Sequence, residues 1–269
     1  MPTIQELFDL TGKVAIVTGG AGHLGTAISE GLSEAGANVA IASRNVDNCK
    51  ALAERLSAKH PKAIGLKLDV SDEGSILEMV EQVVSKFGRI DILINNAYSA
   101  EAREEARRKP ERMSVEEFES ALHNGLTAYF CAVKACVPHM KKQGKGSIIN
   151  NASMYGMIAP HFQIYRDSEY YSPINYHACK GGVLQTTRYM AVYFAQNSIR
   201  VNAFSPGPFP HPPILEKDPW FEEELANQNP MRRIGQPWEL KGVVVFLASD
   251  ASSYVTGQNI PIEGGWTIW

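Results

Sequence analysis

The sequence predicts an α/β fold: one doubly wound, Rossmann-type domain with a parallel seven-stranded sheet and helices on both faces. Three observations lead to this prediction. Strand patterns alternate with amphipathic helical patterns across short connections, as in parallel sheets. The strand segments are almost continuously apolar, as strands buried on both faces should be. No linker, repeat or low-complexity segment interrupts the chain, so we expect one domain over residues 1–269.

The predicted elements follow in order from the first apolar run, residues 14–17. The helix after this run is expected to end at Gly36, since glycine is a common C-terminal stop. Ser114 and Glu117 form the pattern of a capping box, which predicts one long helix reaching about residue 142. Further strands are predicted at 38–42, 64–68, 90–95, 147–152, 199–204 and 259–262, and further helices at 48–56, 76–87, 176–196 and 238–248.

Two connections are longer than the others. Residues 157–174 are rich in aromatic side chains, and residues 205–219 contain six prolines. Long connections in a compact domain are usually functional, and both follow C-terminal strand ends, where open α/β sheets bind ligands. We therefore expect substrate loops near residues 157–174 and 205–227.

The composition is that of an ordinary globular protein, with 44% apolar and 20% charged residues and a net charge of −3. This charge does not favour nucleic acid or an anionic membrane as a partner. The longest strongly apolar run, residues 243–248, is far shorter than the roughly 20 residues of a membrane span, so we expect a cytoplasmic protein. The four cysteines and seven histidines show no metal-binding spacing, so no metal is expected.

A glycine-rich turn follows the first strand and opens the first long helix. Gly20, Gly22 and Gly25 satisfy the pattern G-x-G-x-x-G in this strand–turn–helix setting. Glycines allow the backbone to approach a diphosphate, and the helix N-terminus supplies N–H donors. The turn therefore predicts a dinucleotide cofactor.

The end of the second strand favours NADP(H) over NAD(H). An NAD site usually has a carboxylate here for the ribose hydroxyls, whereas this chain has Ser43 and Arg44. A guanidinium suits a 2′-phosphate because it is fully charged and forks onto phosphate oxygens. The alternative is that Arg44 is a solvated surface residue.

Tyr176 and Lys180 are four positions apart and share a helical face if the segment is helical. This pair and the glycine-rich turn after Thr18 belong to a set of motifs that spans nearly the whole chain. The others are LDV at 68–70, NNA at 95–97, a strand ending at Ser153, SPG at 205–207 and TGQNIPIEGG at 256–265. In this order the motifs resemble the short-chain dehydrogenase/reductase family, most closely its sugar-acid and polyol dehydrogenases and its 3-oxoacyl-carrier-protein reductases.

The resemblance implies roles for particular residues. Tyr176 is the expected proton donor or acceptor, and the neighbouring ammonium of Lys180 should lower the pKa of the phenol from about 10 towards neutrality. Ser153 is expected to hold the substrate oxygen. The expected substrate residues are Ser153, Tyr155, His161, Tyr165 and Tyr176. The expected cofactor residues are Gly19, Gly20, Gly22, His23, Leu24, Gly25, Ser43, Arg44, Asn45, Asp69, Val70, Asn96, Ala97, Tyr176, Lys180, Pro206, Gly207 and Phe209.

The chain departs from the family pattern at four positions. His23 and Tyr98 stand where the family has glycine, and the family's threonine after Pro-Gly falls near His211. The family's catalytic asparagine falls on Gly125, with Asn124 one residue earlier and about 100° away on an unbroken helix. Either a local bulge brings Asn124 into a catalytic position, or water replaces the asparagine in the proton relay.

The leading functional hypothesis is an NADP(H)-preferring oxidoreductase that acts on a carbonyl/alcohol pair, namely a sugar, polyol or sugar acid. The first alternative is a 3-oxoacyl-carrier-protein reductase, but acidic residues dilute the basic segment at 102–112 that an acidic carrier would need. The second is a dinucleotide-binding sensor or scaffold without catalysis. The resemblance also implies a homotetramer.

Overall fold

The computed structural model describes residues 1–59, 61–98, 109–165, 172–217 and 219–269. Seven parallel strands form one sheet in the order β3-β2-β1-β4-β5-β6-β7, which confirms the predicted fold class. The strands are β1 Val14–Thr18, β2 Asn38–Ser43, β3 Ala63–Lys67, β4 Ile92–Asn95, β5 Gly146–Asn151, β6 Ile199–Pro206 and β7 Asn259–Ile262.

Helices connect the strands and cover both faces of the sheet. None of those in the described ranges is long and apolar enough to cross a membrane. The α-helices are α1 Ile4–Phe8, α2 His23–Glu34, α3 Val46–Ser57, α4 Glu73–Phe87, α5 Val115–Leu122, α6 Ala128–Gln143, α7 Ile174–Phe194, α8 Pro212–Lys217, α9 Trp220–Asn227 and α10 Lys241–Ala248.

Two apolar layers lie on opposite faces of the sheet. In β1, Val14 and Ile16 belong to one layer, and Ala15 and Val17 belong to the other. Helices α4, α6 and α7 cover the first layer, whereas α2, α3 and α10 cover the second. Both faces of each central strand are therefore buried, which explains the nearly continuous apolar runs in the sequence.

The structure corrects three predicted elements. The capping box of Ser114 and Glu117 is present, but the long helix that it opens is interrupted by a π-turn at His123–Thr127. The helix predicted at 238–248 begins as a 3₁₀ turn, Pro237–Leu240. The predicted substrate loop at 205–227 contains α8 and α9, and α8 begins with two prolines, which are tolerated in the first turn of a helix.

The strand order reverses beside β1, which lies between β2 and β4. On one side the chain proceeds outward to β2 and β3, and on the other side to β4, β5, β6 and β7. In a doubly wound sheet the ligand crevice lies outside the C-terminal strand ends at this switch point.

Candidate active site

A cleft of about 810 Å³ lies along the C-terminal ends of the strands. It brings together most of the residues that the sequence singled out, although Gly20, Asn124 and His161 do not line it. The predicted residues in its wall are Gly19, Gly22, His23, Leu24, Gly25, Ser43, Arg44, Asn45, Asp69, Val70, Asn96, Ala97, Ser153, Tyr155, Tyr165, Tyr176, Lys180, Pro206, Gly207 and Phe209.

The glycine-rich turn is held tightly against the end of β2. Gly19 has a φ of +64°, in the left-handed region that favours glycine, and its N–H donates to the carbonyl of Ala42 at 2.7 Å. A Cβ atom on Gly25 would overlap the carbonyl oxygen of Gly19. Gly20 packs beneath the turn, where its carbonyl accepts from Ser29 Oγ at 3.0 Å. The turn and the N-terminus of α2 form an open cradle that fits a diphosphate.

The end of β2 combines capping contacts with an exposed cation. Ser43 Oγ donates to the carbonyl of Asn45 at 3.2 Å, and Asn45 caps the start of α3. Arg44 is exposed at the lip of the cleft. Hydrogen bonds from Ser71 lower the pKa of Asp69, and the nearby charge of Arg44 lowers this pKa further. A cation and an ionised carboxylate therefore face this end of the cleft.

A hydrogen-bond network ties together the ends of β1, β4 and β5. Thr18 Oγ1 accepts from the backbone N–H groups of Asn96 at 2.9 Å and Ala97 at 3.1 Å. The side chain of Asn96 donates to the Thr18 carbonyl at 3.0 Å and accepts from Asn151 Nδ2 at 2.8 Å. These contacts fix the floor of the cleft between the turn and the end of β5.

Helix α7 carries Tyr176 and Lys180 into the cleft. The ammonium of Lys180 lies 5.7 Å from the centre of the Tyr176 ring, and this lysine is only 3% exposed. Lys180 Nζ donates to the carbonyl of Asn151 at 2.7 Å and to the hydroxyl of Tyr129 at 3.5 Å. Burial raises the pKa of Tyr129 well above its ordinary value, so this phenol remains neutral.

Ser153 lies just beyond β5 at the start of a 3₁₀ turn, Met154–Gly156. Its hydroxyl is buried and accepts from the backbone N–H of Tyr155 at 3.2 Å. Ser153, Tyr176 and Lys180 therefore line a single cleft, although they come from β5 and α7. The wall of the cleft therefore contains two hydroxyl groups and a cation from these residues.

The π-turn places Asn124 in the protein interior between α5 and α6. The residue is buried, and its Nδ2 donates to Ser120 Oγ at 3.3 Å. Its buried Oδ1 has no hydrogen-bond partner among the described residues. The bulge that one sequence hypothesis required is present, but the Asn124 side chain does not reach the cleft surface.

The other end of the cleft carries two tyrosine hydroxyls. Tyr155 and Tyr165 have their hydroxyl oxygens 3.2 Å apart, and burial raises the pKa of both phenols. His177 stacks on the Tyr155 ring with centroids 4.6 Å apart. Its Nε2 lies 3.0 Å from Ser172 Oγ, and burial lowers the pKa of this imidazole. These groups are neutral hydrogen-bonding partners near neutral pH.

His161 occupies a different position from the one expected. Its Nδ1 lies 2.8 Å from Gln228 Oε1, and its ring contacts Trp266, so it is outside the cleft wall. Tyr165 and Ser172 flank residues 166–171, which lie outside the described residues together with 102–108 of the basic segment. The predicted substrate loop at 157–174 therefore lies partly outside the described residues.

Several cleft residues were missed as site residues. The apolar side chains of Ile214, Phe221 and Leu225 come from α8 and α9. These helices were not predicted, because the many prolines of this segment indicated an irregular connection. The His211 ring contacts that of His23 with centroids 5.1 Å apart, so two departures from the family pattern meet across the cleft. Tyr98 also lines the cleft, and its position after the NNA motif was a signal for this.

Sequence comparisons place the chain among reductases and dehydrogenases. A family model described as enoyl-(acyl carrier protein) reductase matches residues 19–267. A 3-oxoacyl-[acyl-carrier-protein] reductase of Thermotoga maritima is 37% identical over 261 residues, which are 96% of this chain and 99% of that protein.

Structure comparisons agree. A short-chain type dehydrogenase/reductase from Mycobacterium marinum has a TM-score of 0.88 and 32% identity, with 99% of this chain and 100% of that chain covered. A gluconate 5-dehydrogenase from Burkholderia cenocepacia in complex with NADP and tartrate has a TM-score of 0.86 and 30% identity, with 98% and 99% covered.

Proposed function

Because the chain belongs to the short-chain dehydrogenase/reductase family, we propose that it is an NADP(H)-preferring oxidoreductase acting on a carbonyl/alcohol pair. The observation that carries the proposal is the convergence of Ser153, Tyr176 and Lys180 on one cleft beside the glycine-rich cradle. A scaffold without catalysis has no need of a buried ammonium beside a phenol at this position.

In this proposal Tyr176 gives its hydroxyl proton to the carbonyl oxygen in reduction and takes the alcohol proton in oxidation. Ser153 donates a hydrogen bond to the same oxygen and stabilises its developing negative charge. Lys180 favours the phenolate form of Tyr176 through its charge. When bound, the nicotinamide cofactor supplies or accepts the hydride.

Asn124 has a proposed supporting role in the proton relay. Its Oδ1 is buried without a partner, and a buried polar atom of this kind is usually satisfied by an ordered water. We propose that Asn124 orders relay water within the protein rather than contacting the substrate, which unites the two alternatives that the sequence left open.

The first prediction concerns Tyr176→Phe. We expect turnover to fall by about 10²- to 10⁴-fold because the proton donor is lost. The dissociation constant for NADP(H) should change by less than about tenfold, since the lost hydroxyl contributes at most one neutral hydrogen bond. Cofactor oxidation with a panel of carbonyl compounds measures the first quantity, and cofactor fluorescence measures the second.

Tyr254→Phe is the matched control, because Tyr254 is fully exposed and does not line the cleft. It should retain wild-type turnover. If the wild type binds cofactor but converts none of the panel, the sensor or scaffold hypothesis replaces catalysis. If Tyr176→Phe keeps full activity, another group must be the proton donor.

The proposed preference for NADP(H) rests on Arg44. Its guanidinium is exposed at the lip of the cleft directly after β2, where the adenosine ribose of a dinucleotide is expected. The ionised Asp69 lies near Arg44 and disfavours a second anion, so Arg44 has to offset this repulsion as well as bind the phosphate. The Burkholderia relative was crystallised in complex with NADP, which is consistent with this preference.

The second prediction is therefore that Arg44→Ala raises the dissociation constant for NADPH by about 10- to 100-fold, the equivalent of one charge-assisted hydrogen bond. The constant for NADH should change by less than about threefold, since NADH has no 2′-phosphate. Lys67→Ala is the control: Lys67 also acts on Asp69 but does not line the cleft. Equal weakening of both cofactors by Arg44→Ala would contradict the proposed preference.

We propose a sugar, polyol or sugar acid as the substrate. The neutral hydroxyls of Tyr155 and Tyr165 point to a partner with several hydroxyl groups, since each phenol can donate and accept. The apolar side chains of Ile214 and Phe221 favour the alternative, a 3-oxoacyl thioester, and the Thermotoga relative bears the name of such a reductase.

The third prediction separates these substrates. We expect kcat/KM for a polyhydroxylated substrate to exceed that for a 3-oxoacyl thioester. The double variant Tyr155→Phe/Tyr165→Phe should raise KM for the polyhydroxylated substrate by about tenfold, since hydrogen bonds are lost. KM for the thioester should change by less than about threefold. The opposite order of kcat/KM would favour the acyl reductase.

We also propose a homotetramer. Phe130 on α6 and Tyr189, Val192 and Tyr193 on α7 are large apolar side chains with at least half of their surface exposed. Exposed apolar patches of this kind mark protein interfaces, and a second copy of the chain supplies a matching one.

The fourth prediction is a solution mass of four chains by light scattering. Val192→Glu should produce smaller species, since it places a charge in the proposed apolar interface. Lys50→Glu is the control and should leave the mass unchanged, because Lys50 is exposed on α3, which covers the opposite face of the sheet from α6 and α7. A monomeric wild type would contradict the tetramer but would leave the proposed chemistry intact.

A further inference from the structure

Tyr98 lies within the proposed site, yet the proposed mechanism assigns it no role. It follows the end of β4 and lines the cleft. Its ring meets the Tyr176 ring edge to face, with centroids 5.3 Å apart and an interplanar angle of 86°. The ammonium of Lys180 lies 5.5 Å from the centre of the Tyr98 ring. Tyr98 therefore touches both members of the proposed catalytic pair.

Gly125 in the π-turn leaves the space that the Tyr98 ring occupies. A Cβ atom at position 125 would lie 3.0 and 3.1 Å from two ring carbons of Tyr98, and it would overlap the sulfur of Cys179. Any side chain at 125 therefore competes with this ring for the same volume. The two departures from the family pattern at Tyr98 and Gly125 are thus in contact with each other.

The ammonium of Lys180 is surrounded by three aromatic rings. Its nitrogen lies 5.5 Å from the centre of the Tyr98 ring, 5.3 Å from that of Tyr129 and 5.7 Å from that of Tyr176. A cation within about 6 Å of a ring centre is attracted by the ring quadrupole, most strongly where water is excluded. The hydrogen bond to the Asn151 carbonyl anchors the ammonium from one direction, and the rings confine it from others.

We propose that Tyr98 is a positioning residue of the active site. Its ring occupies the space that Gly125 leaves open, and from there it holds the Lys180 ammonium beside Tyr176. The inference rests on the proposed function and concerns the ring rather than the hydroxyl group. It adds Tyr98 to the proposed site as a residue that acts through Lys180 and Tyr176.

The fifth prediction compares Tyr98→Phe, which keeps the ring, with Tyr98→Leu, which removes it. We expect Tyr98→Phe to retain kcat within about threefold and Tyr98→Leu to lose at least about tenfold, because the ammonium is no longer confined. KM and the dissociation constant for NADP(H) should change by less than about threefold in both variants. The split between kcat and KM distinguishes positioning from a general loss of the cleft.

A second readout does not depend on activity. In cofactor-free protein labelled at lysine Cε, ring currents should shift the Lys180 signal away from those of exposed lysines, and Lys180→Arg identifies it. The signal should stay shifted in Tyr98→Phe and move towards the exposed lysines in Tyr98→Leu. This readout remains decisive if the wild type proves inactive on every substrate, so failure of the proposed function and failure of this inference are distinguishable.

Fluorinated phenylalanines at position 98 address the case in which Tyr98→Leu folds poorly. They keep the shape of the ring while successive fluorines weaken its quadrupole, so kcat should fall with each added fluorine. Equal kcat across the fluorinated series overturns the proposal. The same conclusion follows if Tyr98→Leu matches Tyr98→Phe in both kcat and the Lys180 signal, since the ring then only fills space.

Discussion

The buried ammonium of Lys180 is the constraint around which the site is organised. Removing an ammonium from water costs several kcal/mol, so its surroundings must compensate. The carbonyl of Asn151 accepts from it at 2.7 Å, and a hydrogen bond to a charged group contributes about 1.5 to 3 kcal/mol. The aromatic rings add about 0.5 to 2 kcal/mol each. This compensation fixes α7 against the end of β5, where Ser153 follows.

Asn151 links the Lys180 ammonium to the proposed cofactor side of the cleft. The same residue donates from Nδ2 to Asn96, and Asn96 in turn is held by Thr18 next to the glycine-rich turn. The ends of β1, β4 and β5 thus cannot shift independently. The proposed proton donor on α7 is consequently held at a fixed distance from the proposed diphosphate cradle. Hydride transfer between a bound cofactor and a bound substrate requires such a fixed arrangement.

The sequence predicted those parts that short-range patterns encode. The glycine spacing, the Tyr176–Lys180 separation and the apolar strand runs are each properties of a few neighbouring residues, and the fold class followed from their order. The sequence left the π-turn as one of two alternatives, because the contact between Gly125 and the distant Tyr98 ring is not a property of neighbouring residues. The sequence placed His161 with the substrate, but its side chain contacts Gln228 and Trp266, which are distant along the chain and could not be foreseen from neighbouring residues.

The two ends of the cleft are built in different ways. The proposed cofactor end is formed largely by backbone, as at Gly19 and Gly25, where added side-chain atoms would strain or block the turn. The proposed substrate end is formed by side chains of Tyr155, Tyr165 and Phe221, which come from separate connections. Changes of side chain at the second end leave the sheet and the cradle intact. A single fold can therefore keep one cofactor while its substrate varies, because the side chains that select the substrate lie on connections outside the sheet.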